Sequence, residues 1–393
     1  GVTGTSTMTD AELVTAIKTA NDTAIANAVD LTTDNATATD AAVAALGISG
    51  VSTLAQLNTA YDLLANPVSL VLTAGSDTLT GTTGADSFDA GLNASGTQTL
   101  NSVDSVSGGN GTDTITIITN TAGTYAPTLA SVENVSLNNT AGGAVTLDMT
   151  NATGVTSITA VSPSAQNLSF NNIGDLSTSL NVSSMTLGAT VTFDMLDTAV
   201  SGTSDSASLT ITSSTTGTVV VDAAVETLNL ISSGNTNTLT ALTNSANTIN
   251  ISGSAGITLG GTNTTAETFT STSTGAVTLT SNNSSASSYT GGAGVDSITY
   301  TGGTAVVETV NAGAGNDVIT FTASLDDVDV LDGGDGVDVL AGISADMVAL
   351  TTANNISNFE TIRVTDNLGA NLTAATVQAG IDTVRLDGTA AAR

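Results

Sequence analysis

The sequence predicts a mainly β protein: a parallel, right-handed β-helix over residues 67–393, preceded by a small α-helical segment at 1–66. Three observations predict it. The nine-residue pattern Gly-Gly-x-Gly-x-Asp-x-apolar-x occurs at 108–116, 291–299, 312–320 and 333–341, with Ala312 in place of the first glycine in one copy. The three downstream copies begin at 291, 312 and 333, so they recur every 21 residues. From Val68 onward the apolar residues alternate with polar ones, the period of a strand. Coils of that length bring successive turns onto one edge, about 4.8 Å apart, and about 15 of them would extend about 70 Å. Parallel crossovers are right-handed, which sets the expected hand.

The repeat has a chemical logic of its own. Its glycines permit positive φ and close backbone approach, so the first six residues can close a tight turn with carbonyl oxygens directed inward. The sixth residue supplies a carboxylate: Asp113, Asp296, Asp317 or Asp338. The eighth is apolar (Ile115, Ile298, Ile319 or Leu340), opens a strand and points into the core. The pattern is a repeat signature of calcium-binding parallel β-helices. Calcium takes about six to eight oxygens, so one turn cannot complete a shell, whereas two stacked turns can. The expected downstream ligand positions are Gly291, Ala293, Asp296, Ala312, Ala314, Asp317, Asp332, Gly333, Asp335 and Asp338. A second cluster is expected over 75–116, at Asp77, Asp86, Asp104, Gly108, Asn110 and Asp113. The competing reading is a series of glycine-rich turns that binds nothing. Four copies sharing both glycine and aspartate positions disfavour it.

Composition narrows the function. Four basic side chains against 35 acidic ones give a net charge of −31. That excludes ordinary nucleic-acid binding, which draws its affinity from basic groups. So many carboxylates with so few partners point to another cation. Charged residues are still only 10% of the chain, too few for a disordered acidic polymer. Cysteine, histidine and tryptophan are absent, which removes disulfides and zinc sites built on those residues. Aromatic content of 3% suits thin coils filled by Val, Ile, Leu and Ala. No apolar run approaches the length of a membrane span, and no signal peptide is visible. The first residue is Gly1, which suggests a processed or excised piece.

In chain order, Thr9-Asp-Ala-Glu12 fits a capping box, with Leu13, Ile17, Ala20, Ala24 and Ala28 at helical spacing behind it. Further helical stretches are expected at 36–46 and 52–65, the last ended by Asn66-Pro67. This region reads as a cap on the solenoid or as an anchor and assembly element. Gly84-Ala-Asp86-Ser-Phe88 resembles a degenerate copy of the turn, with Asp86 as carboxylate and Phe88 inward. Residues 117–290 hold short alternating runs such as Leu209-Thr-Ile211, separated by Gly, Asn and Ser, and are expected to form largely ion-free coils. Five of six glutamates, Glu133, Glu226, Glu267, Glu308 and Glu360, sit in an apolar-Glu-x-apolar element. They are expected to bind backbone at a coil corner, or else to join an ion site, with the corner favoured. Residues 342–393 continue the alternation without a recognisable cap. Either the chain is expected to run on, or a neighbouring molecule is expected to cover this end.

On its nonapeptides, on the run Leu72–Gly81 before Gly84-Ala-Asp86, and on the apolar-Glu-Thr elements, the chain resembles bacterial RTX-type proteins. Among these it is similar to the surface-layer proteins of Gram-negative bacteria. The resemblance covers about 68–390. It implies one-step secretion on an uncleaved C-terminal signal, calcium-driven folding outside the cell and assembly with itself into a paracrystalline coat. It also implies a cell-envelope partner such as a polysaccharide or lipopolysaccharide. Clear repeats are few, so the ions are expected in clusters.

The leading expectation is therefore a structural, self-assembling cell-surface protein, with a secreted adhesin or biofilm filament as the alternative. A third class, an enzyme, is disfavoured. Without histidine there is no His-based triad. Paired carboxylates of the kind that hydrolyse glycosides lack an aromatic sugar platform beside them.

Overall fold

The computed structural model describes residues 67–261, 266–282, 286–301, 306–351, 355–373, 377–378 and 380–388. The expected helices of 1–66, and any capping or anchoring role for them, lie outside the described residues. Among the described residues thirty-two strands follow one another, from β1 (Ser69–Val71) to β32 (Thr383–Leu386), with a short helix, α1 (Ser344–Ala349), late in the chain. The chain winds as a parallel β-solenoid. One wall is a 14-stranded parallel sheet running from β1 to β30 (Asn355–Ser357). The rest of each coil belongs to three shorter sheets of four, six and eight strands that succeed one another along the chain.

Strict alternation makes the coils. In β15 (Ser206–Thr212) Ala207, Leu209 and Ile211 are buried, while Ser206, Ser208, Thr210 and Thr212 face out. Threonine and β-branched aliphatics suit this pleated, half-buried setting. Register places like on like: Phe170 lies opposite Phe193, ring centroids 5.6 Å apart, and Tyr300 opposite Phe321 at 5.1 Å. Truncating a fully buried ring leaves a cavity costing about 3–5 kcal/mol. Phe170→Ala is accordingly expected to lower stability by about that much, read as a shift in the urea unfolding midpoint.

The coil length differs from the sequence expectation. The register advances 18 residues from Ser69 to Ser87 and 29 from Leu180 to Leu209. It settles at 21 between Tyr289, Val310 and Leu331, where the nonapeptides are consecutive. Elsewhere insertions at the corners lengthen the coil. One example is the loop closed by Gly96 N–H on Asn93 O at 2.8 Å. Fourteen strands in the long sheet therefore replace the expected 15 coils, and span about 60 Å at 4.8 Å per step. Where strands leave the long sheet, buried amides close the corner. Asn237 donates to Ile211 O (3.1 Å) and Ser233 O (3.0 Å) and accepts from Ser214 N–H (2.8 Å).

Candidate functional site

The acidic residues gather at corners where the chain turns into a strand. There they form ladders. One oxygen of each carboxylate accepts the backbone N–H of the equivalent residue one coil earlier. Downstream, Val277 N–H donates to Asp296 Oδ1 (2.8 Å), Asp296 N–H to Asp317 Oδ1 (2.7 Å), Asp317 N–H to Asp338 Oδ1 (2.7 Å) and Asp338 N–H to Glu360 Oε2 (2.7 Å). Upstream, Val68 N–H donates to Asp86 Oδ1, Asp86 N–H to Asp113 Oδ1 and Asp113 N–H to Glu133 Oε2, each at 2.7 Å. A shorter ladder joins Asp77 N–H to Asp104 Oδ1 at 2.9 Å.

The two clusters occupy different corners. Turns 81–86 and 108–113 lead into β3 (Ser87–Ala90) and β5 (Thr114–Thr119) of the long sheet. Turns 291–296, 312–317 and 333–338 lead into β25 (Ser297–Tyr300), β27 (Val318–Phe321) and β29 (Val339–Gly342) of the eight-stranded sheet. Asp77 and Asp104 precede β2 (Thr78–Thr80) and β4 (Ser105–Ser107), on the four-stranded sheet.

Glycine makes the stacking tight. Gly313, Gly315, Gly334 and Gly336 all take positive φ, as do Gly109 and Gly111 upstream. A Cβ on Gly334 would lie 2.0 Å from Gly313 O, and one on Gly336 1.5 Å from Gly315 O. Gly108, Gly291 and Gly333 hold the coil edge through N–H bonds to Ala130 O (2.8 Å), Asn311 O (2.7 Å) and Ser357 O (3.0 Å). Ala312, at a glycine position, is buried and donates to Asp332 O at 2.9 Å. Ala314 donates to Gly292 O and Asp335 to Gly313 O, both at 2.8 Å. Asn110, Ala293 and Asp335 stand exposed on the turn surface. Asp332 is half-buried and accepts Gly334 N–H (3.1 Å) and Asn358 Nδ2–H (2.7 Å).

The second carboxylate oxygen distinguishes the sites. Asp113, Asp317 and Asp338 are fully buried, and in each Oδ2 has no hydrogen-bond partner. Burial pushes the Asp113 and Asp338 carboxyls above their ordinary range and Asp317 up to about 6, with Asp296 and Asp338 adding repulsion on Asp317. Asp296 differs. Its Oδ2 accepts Tyr289 O–H at 2.6 Å, and Gly292 and Gly294 of its turn do not take positive φ. Asp86 and Asp104 are likewise satisfied on both oxygens, Asp86 by Val68 and Thr82, Asp104 by Asp77 and Asn101. Asp77 accepts the Thr73 N–H at 2.7 Å.

The donors at the ladders are all hard oxygens, and three buried carboxylate oxygens lack a partner. In that respect the residues fit a hard cation such as calcium. Among the described residues, however, no three acidic side chains converge on one point where an ion would sit. A cation here would need backbone carbonyls as well as carboxylates. Sequence reading overlooked Tyr289 as the partner of Asp296, and it overlooked a further buried pair, Glu308 and Asp329. The glutamate element did signal its role: Glu133, Glu226 and Glu360 each accept a backbone N–H at a corner, Glu226 from Asp205 at 2.8 Å.

Two shallow cavities lie elsewhere, one of about 310 Å³ beside Met149, Ile173 and Thr178, the other of about 220 Å³ beside Leu242, Leu259 and Phe269. The first holds one carboxylate, Asp175, whose Oδ1 accepts Ser177 N–H at 2.8 Å. Among the described residues no helix is long and apolar enough to cross a membrane. No protein-family model matches the chain, and no curated protein matches it.

Proposed function

We propose that this chain is a secreted structural protein that binds calcium at its corner ladders and assembles with copies of itself into a surface layer or sheath on a bacterial cell. The observation that carries the calcium reading is the set of buried, unpartnered Oδ2 atoms on Asp113, Asp317 and Asp338. A buried carboxylate without a counter-charge is costly. A divalent cation bound between turns offsets that cost and ties coil to coil, because its ligands come from different coils. In this reading Asp113 serves the upstream corner, and Asp317 and Asp338 the downstream one, with the glycine-turn carbonyls supplying the remaining oxygens. Extracellular calcium modules bind at about 10⁻⁴ to 10⁻³ M, which keeps the protein unfinished in the cytoplasm and completes it outside.

Self-assembly draws support from the outer face of the long sheet. From β5 to β26 (Glu308–Asn311) its outward register positions carry Ser, Thr and Asn with scattered Val and Ile, and no charged side chain faces out. Elsewhere on a chain of net charge −31, copies repel one another. The amides on this face are already ordered, Asn250 Nδ2 donating to Asn229 Oδ1 and Asn229 Nδ2 to Ser206 Oγ, both at 2.9 Å. The variant Asn229→Asp, whose carboxylate can still accept from Asn250 Nδ2 and from the Ser206 hydroxyl, is expected to weaken assembly at least tenfold in critical concentration while leaving the fold unchanged. Sedimentation and circular dichroism measure the two effects. Assembly at the wild-type concentration would argue for another contact face.

The deciding experiment is calorimetric calcium titration of the purified chain, with cryo-electron microscopy of the same sample before and after chelation. Ordered arrays that dissolve on chelation are expected. Isolated fibres or binding to a cell-envelope polysaccharide without arrays would instead support a secreted adhesin or biofilm filament. Absence of calcium binding would overturn the metal reading.

A further inference from the structure

A further acidic corner lies on the long sheet, outside every nonapeptide. Glu308 opens β26 and is 2% exposed; Asp329, just before β28 (Val330–Asp332), is 0% exposed. The backbone bond has the ladder form, Glu308 N–H donating to Asp329 Oδ1 at 3.0 Å. Asp329 Oδ2 accepts Asp326 N–H at 2.9 Å. Both oxygens of Asp329 are thus held by N–H donors, the setting of an anion. Glu308 is placed differently. Its side chain meets the Asp329 carboxylate, and its Oε2 has no donor.

Among the described residues nothing basic faces this pair. Among the described residues the cationic side chains are Arg363 and Arg385, both on Asp387, at 3.6 and 2.9 Å. The groups around Glu308 are Asp329, Asp326 and the buried phenol of Tyr300 on β25. Asp346 of α1 faces Asp326 from beyond. On the neighbouring strand β24 (Ser287–Thr290), the register partner of Glu308 is Ser287, which is neutral. Two buried carboxylates in contact, with no cation beside them among the described residues, strongly disfavour ionisation of both.

We propose that Glu308 and Asp329 form a proton-binding site: one proton is held between them, with the Glu308 O–H donating to the Asp329 carboxylate, and it closes the corner between coils. The balance is simple, since one proton is taken up on closing and returned to water when the corner opens. Burial, followed by Asp329 and Asp326, pushes the Glu308 carboxyl from 4.5 up to about 8. The sign follows from linkage. The closed corner keeps a proton that the open chain releases above 4.5, so closure weakens as pH rises from 4.5 to about 8 and is level beyond. The site is independent of the calcium reading of the nonapeptides.

Hydrogen exchange followed by mass spectrometry, corrected for intrinsic rates, tests it between pH 6 and pH 9, with and without saturating calcium. Peptides over 306–311 and 326–332 report the corner. Their protection in the wild type is expected to fall at least tenfold across that range, with or without calcium. Glu308→Gln, whose amide N–H donates permanently, is expected to keep the pH 6 level throughout. An unchanged fall in Glu308→Gln would overturn the proposal. So would a wild-type fall that saturating calcium abolishes, because the pair would then be a cation site. Should the variant not fold, flat wild-type protection from pH 6 to pH 9 overturns it alone.

Discussion

Replacing Gly336 with alanine is expected to destabilise the protein by more than about 4 kcal/mol, a magnitude reserved for substitutions that break a defined structural constraint. The constraint is the stack of turns 312–317 and 333–338. Gly336 has φ +154°, and an added Cβ would sit 1.5 Å from the Gly315 carbonyl oxygen. That atom belongs to backbone, which has no rotamer to yield. Relief requires the two turns to separate, and separation breaks the bonds Asp335 N–H to Gly313 O (2.8 Å) and Asp317 N–H to Asp338 Oδ1 (2.7 Å). Gly142→Ala is the matched control. Gly142 is exposed, has no positive φ and would place its Cβ with nothing within 4 Å, so a change within about 0.5 kcal/mol is expected. Thermal melts of the two variants decide. Similar small shifts would mean that the glycine turns are not under backbone constraint.

That constraint was legible in the sequence, and its legibility has a physical basis. Glycine is required at the second and fourth positions because a Cβ there would strike a neighbouring carbonyl oxygen in all four turns, and in three of them φ is positive as well. The eighth residue was equally plain: Ile115, Ile298, Ile319 and Leu340 are all fully buried. The strand period marked the solenoid, since each wall has one face buried and the other solvated. What could not be read was position around the coil. The copies at 108–116 and 291–299 are the same motif, yet one feeds the long sheet and the other the eight-stranded sheet. Which corner a turn occupies depends on coil lengths between them, and those are set by loop insertions without a repeat. The equivalence of the three downstream turns was also overstated, because Tyr289 reaches Asp296 from the neighbouring strand of the long sheet. The Glu308–Asp329 pair stands at the same 21-residue period as the nonapeptides, and it was missed because Asp329 lies outside the repeat.

Asp317→Asn is expected to reverse its effect on stability when calcium is added. Asparagine keeps an oxygen for the Asp296 N–H, which reaches Asp317 Oδ1 at 2.7 Å, and removes the buried charge whose Oδ2 has no partner. Without calcium the variant should therefore equal or exceed the wild type at neutral pH. With calcium at a hundred times its dissociation constant, one site stabilises the wild type by about 2.7 kcal/mol. The variant should lose most of that gain. The pH dependence runs the same way. Burial, with Asp296 and Asp338 nearby, lifts the folded carboxyl from 3.8 to about 6. The folded state thus holds its proton longer than the unfolded chain, so the contribution of this carboxyl to the stability of the calcium-free protein falls as pH rises from 3.8 to about 6 and is level beyond. Calcium, by favouring the ionised form, should flatten that share of the loss in the wild type, whereas the variant should lack the Asp317 share with or without calcium. Asp222 makes a poor comparison, because its carboxylate accepts Met195 N–H at 2.9 Å and Ala224 N–H at 2.8 Å. Exposed Asp197 is the better one, and Asp197→Asn should track the wild type in both buffers. Melting temperatures at pH 4.5, 6 and 7.5, with calcium and with chelator, supply the test. If Asp317→Asn gains as much from calcium as the wild type does, Asp317 is not a ligand, and its burial reflects the ladder alone.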